Sequence, residues 1–376
     1  MYNLVAPCLF GLEKTVAYEL KLLGATNIKI TDGRVSFTGD DEVIVKANIC
    51  LRTAERVQIE VGKFPCKDFD QLYDGIFKQD YTRYIPNKDC KFTIARARSV
   101  KSKLTSIPAI QKVANKAMAD RLMEIFRTNI LSESSDVEID FNIFINKDEA
   151  HLYIDTTGEA LHKRGYREKT VAAPLRETIA AFMVMLARWK TKRPLYDITC
   201  GSGTIAIEAA LIGLNIQAGI NRNFAGENLP FIDKKKWNEI RSKYINLEDY
   251  SEFKIYACDI DPEAIEIAKE NAELAGVADY IDFSVKDVKE VKITEQDGYI
   301  ICNPPYGVRI GDDEELEDLY ASMKKLFKSL DNFSYFIITP DENIGEKVGI
   351  DFSKNRKIYN GTINTHLYQY LSQKRY

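Results

Sequence analysis

Apolar and polar positions follow one pattern in the first 160 residues and a different one afterwards. In the first part, stretches in which apolar and polar side chains alternate are separated by stretches with helical spacing. The predicted strands lie at residues 2–6, 28–31, 34–37, 56–61, 92–97, 137–145 and 150–155. The predicted helices lie at residues 9–23, 42–50, 69–77 and 108–126. This order predicts an α+β region that contains two β-hairpins.

The second part consists of short apolar runs separated by helical stretches. The runs at residues 195–197, 255–259, 281–285, 299–302 and 334–338 are typical of strands that are buried on both faces of a sheet. A further strand is predicted at residues 366–371, and together these elements allow a seven-stranded sheet whose last strand is antiparallel. We therefore predict an α/β fold for this part of the chain.

The length of the chain favours several domains, because 376 residues exceed what one ordinary hydrophobic core accommodates. We predict a small N-terminal unit at 1–62, a second α+β unit at 63–160, a basic linker at 161–173 and the α/β domain at 174–376. Hydrophobic residues make up 45% of the chain and charged residues 29%, which is typical of a soluble globular protein.

Several classes of protein are disfavoured by the composition. The N-terminus lacks a basic region followed by an apolar stretch, and no apolar run approaches the length of a membrane span, so we expect a cytoplasmic protein with no membrane partner. The seven cysteines are scattered without a Cys-x-x-Cys pair, which fits reduced thiols. The three histidines are too dispersed to suggest a metal centre, so we expect no metal.

Positive charge is clustered although the net charge is −4. Between Lys88 and Arg127 there are ten Lys and Arg against three Asp and Glu, and between His162 and Arg193 there are nine against two. Clustered positive charge on an acidic protein indicates a directed electrostatic surface, and nucleic acid is the obvious partner. Two solvated helix faces would explain the same pattern, and charge alone does not decide between them.

One apolar run stops abruptly at the stretch Asn303-Pro304-Pro305-Tyr306. The prolines end the strand, so Asn303 is expected at its carboxyl end, where open α/β sheets bind ligands. The carbonyl groups of Asn303 and Pro304 can accept hydrogen bonds from an exocyclic amine, and the Tyr306 ring can stack on the base that carries it. A proline-rich turn without chemistry is the simpler alternative.

A glycine turn follows the strand that ends at Asp197, and a helix follows the turn. Glycine permits positive φ and close approach of the backbone to a ligand. The spacing Gly201-x-Gly203-x-x-Ala206 also satisfies a loose dinucleotide-binding fingerprint, but that alternative requires an acidic strand end about twenty residues further on. The acidic strand end instead comes later, at Asp259.

These motifs resemble those of class I S-adenosylmethionine-dependent methyltransferases that act on exocyclic amines. The Asn-Pro-Pro-Tyr stretch resembles the motif of enzymes that methylate adenine N6 or guanine N2. The basic segment that contains Arg96, Arg98, Lys101 and Lys103 resembles part of a THUMP domain, an RNA-binding module. The whole chain resembles the large-subunit (23S) rRNA guanine-N2 methyltransferases, most strongly from residue 161 to residue 308. In place of the family's usual Asp-Pro-x-Cys, it has Ile198 and Thr199 after Asp197.

The resemblance implies a fold, a cofactor and a set of residues. The fold is a Rossmann-like seven-stranded methyltransferase domain preceded by a ferredoxin-like and THUMP RNA-binding region, and the cofactor is S-adenosylmethionine. Asp197 is expected to bind the methionine ammonium, Asp259 the ribose hydroxyls, with Asp261 as the alternative, and Asp287 the adenine amino group. The expected cofactor contacts are Asp197, Thr199, Cys200, Gly201, Ser202, Gly203, Thr204, Asp259, Ile260, Asp287 and Asn303. The expected catalytic residues are Asn303, Pro304, Pro305 and Tyr306.

The implied partner is RNA, with 23S rRNA the expected target. The expected RNA contacts are Arg96, Arg98, Lys101, Lys103, Lys163, Arg164 and Arg167. Residues from about 173 onward are expected to bind the cofactor alone but to find RNA poorly, because phosphate contacts supply much of the affinity. Two alternatives stay open: an adenine-N6 methyltransferase of RNA or DNA, and an inactive RNA-binding ribosome assembly factor.

Overall fold

The computed structural model of the chain describes residues 1–132, 134–167, 169, 174–245, 252–306, 313–361 and 363–372. The predicted linker at 161–173 is therefore covered only in part, since residues 168 and 170–173 lie outside this set. None of the described helices has both the length and the hydropathy needed to cross a bilayer.

The first 160 residues form an α+β region around one sheet. Its strands are β1 Tyr2–Pro7, β2 Thr26–Thr31, β3 Arg34–Gly39, β4 Gln58–Pro65, β5 Lys91–Val100, β6 Glu138–Asn146 and β7 Glu149–Asp155. Its helices are α1 Glu13–Leu22, α2 Asp41–Cys50, α3 Phe69–Phe77 and α4 Ile107–Ile125. Aspartate side chains at two helix starts accept backbone hydrogen bonds, Asp40 from Val43 and Asp68 from Gln71, and so satisfy amides that the helix leaves unpaired.

Among the described residues, the seven strands of this region pair in the order β2-β3-β1-β4-β7-β6-β5. The pair β5–β6 is parallel and the others are antiparallel. The predicted boundary at residues 62 and 63 falls inside β4, which pairs with β1 on one side and with β7 on the other. The two predicted N-terminal units therefore share a single sheet.

The rest of the chain forms the predicted α/β sheet. Its strands are β8 Leu195–Asp197, β9 Ile255–Asp259, β10 Ile281–Val285, β11 Gly298–Cys302, β12 Phe333–Thr339, β13 Lys354–Asn360 and β14 Ile363–Tyr370. Its helices are α5 Glu177–Ala187, α6 Thr204–Gly213, α7 Lys234–Ile245, α8 Pro262–Leu274, α9 Asp313–Lys328 and α10 Ile344–Val348.

Within the described part of the chain, the strand order of this second sheet is β10-β9-β8-β11-β12-β14-β13. The first five strands are parallel, and β14 runs antiparallel to both β12 and β13. The prediction of a Rossmann-like seven-stranded domain after an α+β region is confirmed. The sequence pattern did not reveal β13, because its side chains are mostly polar and exposed at the edge of the sheet.

The two regions are interlocked rather than joined only by a linker. Phe224 and Trp237, from the segment between α6 and β9, pack in the hydrophobic core of the N-terminal region. Their rings stack with centroids 5.4 Å apart, and Trp237 is fully buried. Gly226 is small because a Cβ at this position would lie 2.6 Å from the Trp237 ring. The C-terminal half thus supplies part of the N-terminal core.

Candidate functional site

A cleft of about 1400 Å³ opens at the carboxyl ends of β8, β9, β10 and β11. Parallel strands place their carboxyl ends at one edge of the sheet, so residues that are far apart in sequence meet there. Twelve of the residues predicted from the sequence line this cleft, if the alternative ribose ligand Asp261 is counted: Asp197, Thr199, Cys200, Gly201, Ser202, Thr204, Asp259, Ile260, Asp261, Asp287, Asn303 and Pro305.

The turn between β8 and α6 depends on its two glycines. Gly201 has φ of +51° and Gly203 has φ of +80°, which are left-handed conformations that favour glycine. Gly203 is not among the residues that line the cleft. A Cβ at Gly203 would instead lie 3.0 Å from the Cβ of Ala268 on α8. Gly203 thus allows close packing between α6 and α8, and its contact with the cofactor stays a prediction.

Asp197 ends β8 as a buried carboxylate that faces the cleft. Its exposed fraction is 1%, and apart from a weak approach by the Thr199 backbone amide neither carboxylate oxygen has a hydrogen-bond partner within the described structure. Burial, together with the negative charge of Asp259, raises the pKa of Asp197 well above its ordinary value, and the Thr199 amide offsets this only in part. A buried carboxylate without a partner fits a cationic ligand group, such as the ammonium of an amino acid.

Asp259 at the end of β9 is tied to the glycine turn. Its carboxylate accepts the Gly201 N–H at 2.8 Å and the Asp261 N–H at 3.1 Å. Asp261 itself accepts from the Glu263 N–H at 2.9 Å and caps α8. The structure thus gives Asp261 a capping role at α8 and ties Asp259 to the glycine turn, while both aspartates line the cleft.

Asp287 lies just after β10 at the same edge of the sheet. Its carboxylate accepts the Lys289 N–H at 3.0 Å and pairs with the Lys289 ammonium at 2.7 Å. Burial by itself raises the pKa of Asp287, but the bonds from Lys289 outweigh it and leave the pKa below its ordinary value. Asp287 is therefore an ionised acceptor on the cleft wall.

The Asn-Pro-Pro-Tyr stretch follows β11 directly. Asn303 lines the cleft, and its side-chain carbonyl oxygen is buried without a hydrogen-bond partner in the described structure. Pro305 also lines the cleft, whereas Pro304 and Tyr306 are buried and do not. An acceptor held buried and unsatisfied is costly unless a ligand supplies the donor.

The two cysteines beside the cleft are poor nucleophiles. Burial raises the pKa of both Cys200 and Cys302 well above the ordinary value, and the buried carboxylate of Asp197 adds to this effect. A thiol in such surroundings stays protonated and packs as a small apolar group. The site therefore provides hydrogen-bond acceptors that can orient a ligand, and neither cysteine is suited to form a covalent bond with it.

The predicted phosphate contacts of β5 lie away from the cleft. Arg96, Arg98, Lys101 and Lys103 are exposed, and none of them lines the cleft. The guanidinium of Arg96 also pairs with the fully buried side chain of Asp155 at 2.9 Å. The surface that follows β5 is therefore open to a polyanion, with Arg96 partly engaged by the protein itself.

The predicted RNA contacts of the linker divide into one exposed residue and two that are engaged by the protein. Lys163 is 60% exposed and pairs with Glu159. The Arg164 side chain is 3% exposed and contacts Glu208 on α6, so the prediction that it binds RNA is contradicted by its burial. Arg167 is 11% exposed and contacts residues of the cleft wall.

Further cleft residues were not identified from the sequence. Leu319, Ser322 and Lys325 lie three residues apart and place one face of α9 along the cleft. The sequence could have indicated this face, because residues with helical spacing follow the Asn-Pro-Pro-Tyr stretch in the chain. Pro174 and Leu175, just before α5, form another part of the wall. No cluster of three or more potential metal ligands occurs among the residues that the structure describes.

Comparison with family models identifies the C-terminal region and the first part of the N-terminal region. Residues 164–369 match the model described as "RMKL-like, methyltransferase domain". Residues 3–58 match the model described as "RlmL ferredoxin-like domain". The first match covers more than half of the chain and includes every strand of the second sheet apart from the last residue of β14.

Among curated proteins, the chain is similar to the "Putative RNA methyltransferase YpsC" of Bacillus subtilis strain 168. The two are 40% identical over 376 residues, which cover 100% of this chain and 97% of the relative. The chain is also 32% identical to the "Ribosomal RNA large subunit methyltransferase K/L" of Shewanella pealeana, over 96% of this chain. It spans only about half of that longer relative, 52% of its length.

Solved structures agree with the fold over the whole chain. A "possible methylase" from Clostridium difficile 630 superposes with a TM-score of 0.95 at 43% identity, covering 100% of this chain and 99% of the other. SMU.472 in complex with SAH superposes with a TM-score of 0.94 at 38% identity over the same shares. A "predicted N6-adenine-specific DNA methylase" from Listeria monocytogenes has a TM-score of 0.92 at 40% identity, covering 99% and 96%.

Proposed function

This chain belongs to the RMKL-like methyltransferase family, and we propose that it methylates N2 of a guanine in 23S rRNA. Its methyl donor is S-adenosylmethionine: the family is one of methyltransferases, and the similar SMU.472 structure contains SAH. The unpaired, buried carboxylate of Asp197 fits the ammonium of this cofactor, as described above. When bound, the cofactor supplies an electrophilic methyl group.

The residues that we assign to cofactor binding come from three strand ends. Asp197 would hold the methionine ammonium, and the amides at the start of α6 would bind the methionine carboxylate. Asp259 would accept from the ribose hydroxyls, and Asp287 from the adenine amino group. Ile260 is 67% exposed at the cleft, which is unusual for an isoleucine and fits contact with a flat ring.

One observation carries the proposed chemistry: the buried, unpartnered side-chain carbonyl of Asn303 at the cleft surface. An exocyclic amine on a base is a poor nucleophile because its lone pair is delocalised into the ring. The Asn303 carbonyl can accept one amine hydrogen at the cleft surface, and the backbone carbonyl of Pro304, a residue that is buried beside the cleft, would have to accept the other on binding. The two bonds would turn the lone pair out of the ring plane and aim it at the methyl group. Alignment of this kind can be worth roughly 7–11 kcal/mol.

The proton can leave the amine after the methyl group has been transferred, so no side-chain base is needed beforehand. The groups near the expected position of the amine agree with this, because they are hydrogen-bond acceptors and the thiols of Cys200 and Cys302 stay protonated. The base must leave its helix to reach the cleft, so an unpaired or flipped nucleotide in structured RNA is the expected target.

RNA is the proposed substrate class for two reasons. The Bacillus subtilis relative, which matches along nearly its whole length, is named as an RNA methyltransferase. The exposed basic residues that follow β5 offer a surface for phosphates. The K/L relatives are named as large-subunit rRNA methyltransferases, which supports 23S rRNA, and such a substrate would place the enzyme in the cytoplasm.

Adenine N6 is the second candidate target. The Listeria structure is described as a predicted N6-adenine-specific DNA methylase, and the Asn-Pro-Pro-Tyr geometry serves either amine. An RNA-binding assembly factor without activity is a third candidate, although the unpaired acceptors of Asp197 and Asn303 favour a working site.

The test uses protein-free 23S rRNA from a strain that lacks the gene, together with labelled S-adenosylmethionine. Nucleoside analysis after digestion should give N2-methylguanosine with the unaltered protein and far less of it, over the same reaction time, with Asn303→Ala. Labelled N6-methyladenosine would show that the base is wrong. Labelling of duplex DNA but not RNA would refute the substrate class. Cofactor binding without any transfer to rRNA, tRNA or DNA would support the assembly factor.

A further inference from the structure

The linker between the two regions is packed inside the protein. Arg164 and Tyr166 are 5% and 4% exposed, and both contact the same carboxylate, that of Glu208 on α6. Their distances to Glu208 are 3.3 Å and 3.1 Å, and Glu208 is fully buried. Buried charges of this kind are stable only when they are paired, so the linker and α6 must keep a fixed relationship.

The same linker is fixed to the N-terminal region. The Arg164 guanidinium donates to the carbonyl oxygen of Arg52 at 2.5 Å. Arg52 is itself buried; its N–H donates to Glu19 on α1 at 2.7 Å, and its guanidinium reaches the carbonyl oxygen of Ile216 beyond α6. A continuous set of buried polar groups therefore runs from α1 through the linker to α6.

Arg167 follows Tyr166 in the chain and lies next to the cleft. One guanidinium nitrogen donates to the Thr204 hydroxyl at 2.5 Å and to the Leu175 carbonyl oxygen at 3.1 Å. The other terminal nitrogen is 3.5 Å from the carboxylate of Glu177 at the start of α5. Thr204 and Leu175 line the cleft, whereas Arg167 does not.

We propose that Arg167 is a positioning residue of the methyl-donor cleft, which it shapes by joining the wall at Leu175 to the start of α6 at Thr204. The proposal rests on the proposed function in one respect, the binding of S-adenosylmethionine in this cleft. Thr204 is the first residue of α6, directly after the glycine turn. A bond to its hydroxyl and a bond to the Leu175 carbonyl set the width of the cleft at that end.

The geometry requires an arginine. A planar guanidinium presents several N–H groups in fixed directions, so one side chain reaches a hydroxyl, a carbonyl and a carboxylate together. A lysine ammonium keeps the charge near Glu177 but concentrates its donors at one atom. An RNA phosphate would have to compete with all three groups for a side chain that is 11% exposed.

Three full-length variants test the proposal by calorimetry with S-adenosylmethionine. Arg167→Met should weaken cofactor binding by about tenfold or more, the expected effect of removing hydrogen bonds from a charged donor. Arg167→Lys should give an intermediate effect. Lys269→Met is the matched control, because Lys269 is an exposed cation on α8 that pairs with Glu266 and does not line the cleft, and its cofactor affinity should be unchanged.

Kinetics separate positioning from RNA binding. In Arg167→Met the KM for cofactor should rise while the KM for RNA and the salt dependence of RNA binding stay unchanged. A double-mutant cycle with Thr204→Val should be non-additive, because both variants remove the same hydrogen bond. If Arg167→Met does not fold, Arg167→Lys and Thr204→Val with their double variant provide the same readout.

Two results would overturn the proposal. Unchanged cofactor affinity in Arg167→Met would show that these hydrogen bonds do not shape the cleft. If the variant keeps its cofactor affinity but shows a smaller salt dependence of RNA binding, Arg167 contacts RNA, as the sequence predicted. If the unaltered protein binds no S-adenosylmethionine, the proposed function fails and this inference fails with it.

Discussion

The carboxylate of Asp259 accepts a hydrogen bond from the backbone N–H of Gly201 at 2.8 Å. This bond joins the end of β9 to the glycine turn after β8, two points that are 58 residues apart in the chain. Gly201 is in a left-handed conformation, and an acceptor for its N–H keeps the turn in place. The acidic strand end thus shapes the turn in addition to any contact that it makes with a ligand.

The Asp259–Gly201 bond predicts different results for two neighbouring aspartates. Asp259→Ala should weaken S-adenosylmethionine binding by about a hundredfold or more, since it removes a charged acceptor and the support of the turn. Asp261→Ala should mainly remove the cap of α8, which costs about 1 kcal/mol of stability. Calorimetry and thermal unfolding of both variants provide the measurement. Equal decreases in cofactor affinity would show that the ribose contact is not specific to Asp259.

Asn303→Ala should remove the acceptor that orients the target amine. We expect kcat to fall by about 10²–10³, the range seen when one preorganised hydrogen-bonding group at a transition state is removed. The affinity for S-adenosylmethionine should stay nearly unchanged, because most assigned cofactor contacts come from β8, β9 and β10. Single-turnover rates with saturating cofactor provide the measurement. Rates equal to those of the unaltered protein would reduce the Asn-Pro-Pro-Tyr stretch to a structural turn.

The buried carboxylate of Asp197 predicts a pH dependence with a definite sign. Its pKa is raised in the folded protein, so the folded state holds a proton that the unfolded state loses at ordinary carboxyl pH. The contribution of Asp197 to the free energy of unfolding should therefore be greatest at a pH below the ordinary pKa of a carboxyl group. It should fall as the pH rises from that value to the raised pKa of the folded state and should then stay constant. Asp197→Asn should reduce the pH dependence of the free energy of unfolding in urea, to which Glu19 and Glu177, whose pKa values are also raised by burial, contribute with the same sign.

Cofactor binding should reverse the protonation of Asp197. A bound ammonium favours the carboxylate, so binding below the raised pKa should release a proton and weaken as the pH falls. The calorimetric enthalpy should then differ between phosphate and imidazole buffers, which take up the proton with different heats. Identical enthalpies in the two buffers below neutral pH would count against Asp197 as the cation ligand.

The exposed basic residues after β5 should govern the salt dependence of RNA binding. Replacement of Arg98, Lys101 and Lys103 by Gln should reduce the slope of log K against log salt by roughly 0.7–0.9 for each phosphate that is no longer neutralised. Arg96→Gln is a separate case, since among the described residues it leaves Arg56 as the remaining cationic partner of the buried Asp155 and should lower stability. An unaltered slope in the triple variant would identify these residues as a solvated surface.

An isolated C-terminal half should be much less stable than its domain size suggests. A fragment from about residue 173 lacks Arg164, which leaves the fully buried carboxylate of Glu208 without its cationic partner. Removal of one partner of a buried pair costs about 3–5 kcal/mol. The fragment also exposes Phe224 and Trp237, which pack in the N-terminal core. The expectation that this half binds cofactor by itself should therefore fail, and thermal unfolding with and without cofactor tests it.

The arrangement of the cleft residues could be predicted from the sequence because each of them follows a short apolar strand. Parallel strands bring their carboxyl ends to one edge, so Asp197, Asp259, Asp287 and Asn303 had to meet once the strands were recognised. The exposed position of Lys101 was equally predictable, since it follows a strand at the start of a polar turn.

Tertiary structure decided how the charged residues of the linker are used. In the sequence, Lys163, Arg164 and Arg167 form one basic group, and nothing in their spacing separates an exposed lysine from a buried arginine. The roles of the two arginines depend on Glu208, Thr204 and Leu175, which lie further along the chain and come close only when α6 packs against the linker. Amino-acid order determines which charges are available, but burial and the position of a counter-charge determine whether a cation faces a phosphate or holds two parts of the fold together.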